Sequence, residues 1–487
     1  MKKILCLVLA VCMLCCVVGC GSDAEDTTES QETVAVTVDK EQEYLANLPE
    51  RDYDGYEFTL LCTTQTENFY NETEYSGELI PAAVYSRNVT VQEKYNISFW
   101  YESLNGNRGG MNDFQSRVRN ATMAGDGGYD AVVAQCYYML PLASEGHLRN
   151  LNDSEYFHFD MPWYNANINK NGIINGKLYG ASGSYVMSQI SYAMGMFFNK
   201  VYYENNQFED DLYELVRNKE WTYEKLYQMS ADYYVDSNNN TLRDEGDIFG
   251  YVYHLHGIEA SIVGSDCPIV EFDENGMPTI DNYYDQHLID VFEDYFKYYN
   301  NSRGVWLNKP DAGPTTSLGD GKALFASAQL GMMIDCAQLR NSSYEYGIVP
   351  MPLYDTEQEN YLSYTMRWEL FYIPSNVDFE RSAIILEYLN YTSEKTVVPA
   401  YWETALNERA ADTSNDSEML HLIRDTLYYD FASFFGMEMG GIYRDPTGVG
   451  GIPTLIENGN SGIASWWNGG RDKFAASLDD IIKKYGK

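Results

Sequence analysis

Residues 175–200 read NGKLYGASGSYVMSQISYAMGMFFNK, and the punctuation of this run decides the fold. Asn175-Gly176 is the dipeptide of a tight two-residue turn between strands, because both central positions of such a turn need positive φ. Beyond it, Leu178, Tyr179 and Ala181 read as an extended segment up to Gly183. A second apolar run, Met194 to Phe198, reads as another strand and closes on Asn199-Lys200. Two strands separated by a small, polar, Gly-bearing middle suit a crossing from one domain to a second, since Gly and Ser absorb backbone change at a hinge.

The N-terminal flank supplies one of those domains. Tyr56 to Cys62 (YEFTLLC) reads as a buried strand, Pro81 to Tyr95 as a helix and Ile97 to Tyr101 as a second strand. Met111 to Met123 reads as an amphipathic helix with Phe114, Val118, Ala121 and Met123 on one face. Tyr129 to Gln135 reads as a third strand, followed by a helix over 136–148. Such alternation specifies an α/β lobe with a largely parallel sheet. Ligands of open α/β sheets sit beyond the carboxyl ends of the strands. That nominates Thr63, Thr64 and Gln65 after the first strand, and Gln135, Tyr137 and Tyr138 after the third. In a doubly wound lobe these two strands are neighbours, about 4.8 Å apart. Cys62 and Cys136, near their ends, are therefore expected to lie close together, reduced or bridged.

The chain has 487 residues, too many for one core, and 45% of them are apolar, as in a globular protein. A formal net charge of −39 argues against nucleic-acid binding, which needs basic surface. The 43 tyrosines offer apolar faces with a hydroxyl edge, suited to sugar or peptide surfaces as well as to cores. At the N-terminus, Lys2 and Lys3 precede an apolar run, Ile4 to Val18, that is short for a membrane span. Val17-Val18-Gly19-Cys20 resembles a bacterial lipobox, in which cleavage before the Cys is coupled to lipidation of its sulfur. Residues 21–43 carry eight acids and one Lys with almost no large apolar side chain, the composition of a disordered tether. The body keeps only Cys62, Cys136, Cys267 and Cys336, widely spaced, which is neither a disulfide framework nor a zinc pattern.

Past the crossover, Trp221 to Tyr234 reads as a helix leading into DSNNNTLRDEGD, residues 236–247. A calcium loop of the EF-hand type wants oxygen ligands at positions 1, 3, 5, 7, 9 and 12. Here those are Asp236, Asn238, Asn240, the Leu242 carbonyl, Asp244 and Asp247. Thr241 stands where such loops carry Gly, and Asp247 is shorter than the usual Glu. An Asx-rich polar turn uses the same residue types without metal, so structural Ca²⁺ and a bare turn both remain open.

Three motifs carry a family resemblance. The crossover itself is one. The second is Ala124-Gly125-Asp126-Gly127, then Tyr129-Asp130, an apolar strand, and a helix ending in Glu145-Gly146-His147-Leu148. The third is DGKALF (320–325), Gly331-Met332-Met333-Ile334-Asp335, then YGIVPMPLYD (346–355). Together they resemble family 1 extracellular solute-binding proteins, the sugar-binding class related to maltose-binding protein, over nearly the whole mature chain.

The resemblance implies an α/β, two-lobed periplasmic-binding-protein-like fold (type II), each lobe a mainly parallel sheet flanked by helices. It implies a signal peptide over 1–19, Cys20 and a tether over 20–50, an N-terminal lobe of 51–185 and 368–402, and a C-terminal lobe of 186–367 and 403–487. MRWELFYIP (366–374) would be the second crossing and VVPAYWETAL (397–406) the third. DGKALF would close a helix, and a strand would carry Gly-Met-Met. In the cleft or at its crossings the resemblance places Tyr137, Tyr138, Tyr185, Arg367, Trp368, Glu369 and Trp402, with Asp335 and Gln338 following the Gly-Met-Met strand. The implied function is a monomeric lipoprotein on the extracellular face of the cell membrane. It would capture a carbohydrate, an oligosaccharide by preference, and deliver it to an ABC transporter permease. The alternative is a surface glycan hydrolase or a sensor lipoprotein. The sequence contains no Walker A pattern, no GxSxG and no HExxH. His254-Leu-His256 alone is a weak metal signal, and carboxylate pairs mean little among 72 acids. A binding protein without cofactor or catalytic residues is the reading that results.

Overall fold

A computed structural model describes residues 44–45, 48–125, 128–206, 208, 210–274, 276–407, 413–436, 438–440, 442 and 451–485. The segments expected as signal peptide and tether, with Cys20, lie almost entirely outside the described residues. The chain separates into two units, Met1–Pro49 and Glu50–Lys487. Among the described residues the second holds two large sheets and a two-stranded ribbon.

The first sheet has the order β12-β3-β1-β2. β1 (Tyr56–Thr63) pairs in parallel with β2 (Ile97–Leu104) and with β3 (Ala131–Gln135), while β12 (Glu369–Tyr372) runs antiparallel to β3. The strands read from their apolar runs are thus present. Helix Leu79–Tyr95 stops where Asn96 adopts a left-handed conformation, φ 48°. Helix Met111–Ala124 buries Phe114 and Val118, but Met123 is 72% exposed. At about 100° per residue, Met123 lies some 140° round from Val118, off the buried face. β3 gives way directly to helix Cys136–Ser144.

The second sheet has the order β11-β4-β10-β6-β5, with β9 also on β6. Its strands are β4 (Met194–Asn199), β5 (Tyr234–Val235), β6 (Ile248–Tyr253), β9 (Val305–Leu307), β10 (Ala323–Gln329) and β11 (Tyr346–Val349); β7 (Glu271–Phe272) and β8 (Pro278–Thr279) form a separate ribbon. This sheet is mixed rather than mainly parallel. β10 and β9 run parallel to β6, but β4 is antiparallel to both β10 and β11. β4 and β12 are the strands that enter each sheet from a crossing, and each enters against the local direction. The expected helix around Phe325 and strand through Gly-Met-Met are displaced by one element. The helix ends earlier, at Gly319, Phe325 pairs with Phe198 inside β10, and Met332–Asp335 is a short helix. The helix expected from Trp221 is Tyr223–Ser230, capped by the Thr222 hydroxyl, and the Trp221 indole donates to the Pro350 carbonyl at 3.0 Å.

Asn175 and Gly176, φ 49° and 73°, form the turn that pairs Ile174 with Lys177. The segment after it makes a single bridge, Ala181 to Phe371, instead of a full strand. A helical turn, Ser188–Ser191, then leads to β4. The second crossing runs alongside the first. Ala193 bridges Thr365 in antiparallel sense, Met194 N–H donates to Tyr364 O at 2.8 Å, and Met366 N–H donates to Tyr192 O at 3.0 Å. The third crossing leaves helix Phe379–Lys395 through helix Val397–Asn407, which packs on Leu79–Tyr95 of the first lobe and on Thr413–Asp425 beside β11. The C-terminal stretch then visits both lobes: Phe431–Phe434 packs on Cys136–Ser144, Gly451–Glu457 on helices of the second lobe, and the Tyr485 hydroxyl donates to Leu140 O at 2.7 Å.

All four body cysteines are free. β1 and β3 are neighbours, with Leu61 opposite Val132. Continuing that register puts Cys62 against Val133, three residues and about 10 Å of strand short of Cys136. The expected proximity of the two thiols is therefore corrected by the register. Burial pushes both thiols up, and the Cys136 Sγ donates to Ser433 O instead.

Candidate functional site

A cavity opens between the two sheets beside the paired crossings. The first lobe contributes Gln65, Asn68, Phe69 and Ile80 from the segment after β1 and the following helix. The second contributes Gln329 at the end of β10 and Gly331, Met332, Ile334 and Asp335 just beyond it. Ser191 and Tyr192 come from the first crossing and Tyr401 from the third. A wider hollow lies elsewhere, between residues 162–167, the first crossing and Arg424. That hollow draws on no strand end of the second sheet, so the smaller, two-sided cavity is the candidate site.

The polar groups of the cavity are held from behind. The Gln65 amide donates to Asn105 at 3.2 Å and accepts the Gly106 N–H at 2.9 Å. Gln135 is buried and donates to Gly106 O at 3.0 Å, so it secures the same loop without lining the cavity. Arg367 stacks 4.8 Å over the Tyr192 ring and donates to Asn107 at 3.2 Å and to Glu369 at 3.4 Å. Glu369 is fully buried and also accepts the hydroxyls of Thr63, at 2.9 Å, and Thr66, at 3.1 Å. Thr63, Arg367 and Glu369 thus form a brace behind the site.

Other sequence-nominated residues divide. Gln65 and Asp335 line the cavity. Its surroundings push the Asp335 carboxyl up, chiefly by desolvation, with Arg340 opposing. Trp368 is half-buried and meets Tyr137 and Tyr364 edge-on, each at 6.3 Å. Tyr138 packs at 5.6 Å from Phe114 inside the first lobe. Tyr185 is buried between Tyr70 and the Arg87 guanidinium, 4.8 Å from its ring. Trp402 is buried beside His421. Thr64 and Gln338 are exposed and outside the cavity.

Asn68, Phe69, Tyr192, Gln329 and Tyr401 also line the cavity, and no motif or strand-end signal in the sequence singles any of them out. Tyr401 is the most informative of them. Its hydroxyl is buried, has no hydrogen-bond partner, and belongs to a side chain that lines the cavity. Desolvation pushes its pKa well up, with Asp335 and Tyr192 adding to the effect, so it is a neutral phenol. It precedes Trp402 by one residue, about 100° round the helix, and the sequence alone does not say which of two adjacent aromatics turns inward.

The acidic loop 236–247 joins β5 to β6. Asp236 accepts the N–H groups of Asn240 and Thr241 at 3.2 and 3.0 Å. Asn238 accepts the Asn240 N–H at 2.9 Å, and Asn240 accepts the Leu242 N–H at 2.7 Å. Asp244 accepts the side-chain amides of Asn238 and Asn240 at 3.2 and 2.6 Å. Among the described residues no three His, Cys, Asp or Glu side chains are gathered closely enough to hold a metal ion.

No protein-family model and no curated protein matches the chain. Solved structures do. UgpB from Mycobacterium tuberculosis, in complex with glycerophosphocholine, is similar at TM-score 0.54 and 12% identity, over 88% of this chain and 99% of that one. The cyclic α-maltosyl-1,6-maltose binding protein from Arthrobacter globiformis is similar at 0.52 and 12%, over 88% and 100%. The maltose-binding periplasmic protein MalE from Listeria monocytogenes, in complex with maltose, is similar at 0.50 and 14%, over 89% and 97%. The chain has the two-lobed, periplasmic-binding-protein-like fold of these molecules.

Proposed function

We propose that this protein is the solute-binding lipoprotein of a carbohydrate ABC importer. It holds a neutral sugar, an oligosaccharide by preference, between its lobes and presents it to a membrane permease without altering it. The observation that carries the reading is the cavity lined from both lobes. There the rings of Phe69, Tyr192 and Tyr401 stand with the amides of Gln65, Asn68 and Gln329 and the Asp335 carboxylate. Aromatic faces cover the C–H surfaces of a sugar, and planar amides and carboxylates take its hydroxyls. Two of the three similar structures are maltose-type binding proteins, and the third carries glycerophosphocholine, so the fold alone does not choose between ligand classes. The lining supports a neutral ligand: among the described residues it contains no Lys or Arg to meet a phosphate, and its one charged group is an acid.

A ligand that touches both lobes stabilises the closed state and raises the melting temperature by mass action. A thermal-shift screen against neutral oligosaccharides should therefore give a concentration-dependent upshift with no new reducing ends. Release of reducing ends would make the protein a hydrolase, and an upshift with phosphodiesters alone would displace the sugar reading. The basic Lys2-Lys3 start, the short apolar run and Gly19-Cys20 support lipid anchoring on the outer face of the membrane. Cys20→Ala should release the protein from membranes, and normal retention would refute the anchor.

A further inference from the structure

We propose that the loop of residues 236–247 is a calcium site that fixes the edge of the second sheet, independent of the sugar reading. The loop closes the antiparallel pair β5–β6, with Val235 opposite Ile248. Its oxygens come from Asp236, Asn238, Asn240, the Leu242 carbonyl, Asp244 and Asp247, a set of carboxylates, amides and one carbonyl with no nitrogen or sulfur ligand. Such all-oxygen, irregular sets suit Ca²⁺, which takes 6–8 oxygens at about 2.3–2.6 Å, better than Mg²⁺, which demands a stricter octahedron.

Asp247 supplies the independent observation. It is fully buried, yet its Oδ1 has no hydrogen-bond partner. Its Oδ2 accepts the Asp244 N–H at 3.1 Å and the Tyr234 hydroxyl at 2.8 Å. That same hydroxyl lies 3.2 Å from Leu242 O, so the carboxylate faces into the loop, beside its seventh and ninth positions. Among the described residues no Lys, Arg or His side chain forms an ion pair with Asp236, Asp244 or Asp247. A buried carboxylate oxygen without a donor is costly, and the Arg243 guanidinium acts on Asp247 only through space, so a cation in the loop meets a need that no hydrogen bond or ion pair fills. As the loop stands, the Asn238 and Asn240 side-chain amides donate to Asp244 and take the place a cation would have. Ca²⁺ entry replaces those donors and draws the three carboxylates together.

The test uses the full folded body, without sugar, in chelator and then in CaCl₂. Calcium should raise the melting temperature by a few degrees, and MgCl₂ at the same concentration should not. Terbium, which substitutes for calcium, should show luminescence on tyrosine excitation, since the Tyr234 hydroxyl touches the loop, and calcium should quench it by competition. The double variant Asp236→Asn, Asp244→Asn keeps side-chain shape and leaves buried Asp247 alone, so it should fold and lose both responses. Absence of a calcium shift and of terbium luminescence in the native chain would overturn the proposal. So would responses that persist unchanged in the double variant, which would locate the ion elsewhere. Failure of the sugar screen has no bearing on either outcome.

Discussion

Tyr401 at the interlobe site and Gly183 in the first crossing show what single residues contribute. A buried hydroxyl without a partner adds little to the stability of the empty protein, since its desolvation is not repaid. Tyr401→Phe should therefore leave the melting temperature unchanged or slightly raised. The same hydroxyl is free to bond a sugar, so the variant should bind the screened ligand about two- to twelvefold more weakly, the equivalent of one hydrogen bond of about 0.5–1.5 kcal/mol. Isothermal titration of both proteins decides it, and equal affinities would remove Tyr401 from the ligand contacts. Gly183 acts through space rather than chemistry. A Cβ there would come within 2.1 Å of Asn390 Oδ1, which accepts the Tyr185 N–H at 3.0 Å. A glycine at this position lets the first crossing lie against the helix that begins the third. Its role was legible as hinge punctuation, but its reason, contact with a residue 207 positions away, was not.

Among the elements, the crossings matter most. The first and second form a hydrogen-bonded ribbon, and Gln189 adds a bond to Glu369 O at 2.7 Å. Trp368 stands at the end of that ribbon, its indole edge-on between Tyr137 of the first lobe and Tyr364 of the crossing. Aromatic pairs of this kind contribute about 0.5–1.5 kcal/mol each. Trp368→Ala should cost about 1–3 kcal/mol in chemical denaturation, less than the 3–5 kcal/mol or so of a core Trp. It should also weaken ligand binding, because its neighbour Arg367 carries the Tyr192 wall of the cavity. A variant with native affinity would show that the ribbon end does not position that wall. The apolar runs of β1, β3, β4 and β12 were readable because burial on both faces leaves continuous apolar sequence. The boundaries around Phe325 were not, since pairing with Phe198 and Tyr251 sets them, and such pairing is long-range. The brace of Thr63, Arg367 and Glu369 was nominated as ligand-facing for the same reason: sequence places polar groups at the strand ends but does not say which way they turn.

For the molecule as a whole, the fold poses a two-state question. The sheets are joined by the crossings and by the C-terminal stretch that visits both lobes, and the cavity takes its walls from both sides, so a ligand there binds best when the lobes are close. A ligand shifts the balance only by its differential affinity for closed over open. Moving the population from 1:99 to 99:1 needs a ratio of about 10⁴. Contacts such as Gln65 and Asn68 on one side and Gln329 and Asp335 on the other are the source of that difference, because an open cleft offers only one set at a time. Small-angle scattering with and without the screened sugar should show a smaller radius of gyration in the bound state. Gln329→Ala should reduce both affinity and the size of that change, while a substitution in the outlying loop at Asn239 should alter neither. A bound state with the same radius of gyration as the free protein would mean that the lobes do not move. The site would then be a preformed pocket, and the proposed permease would have to recognise something other than closure.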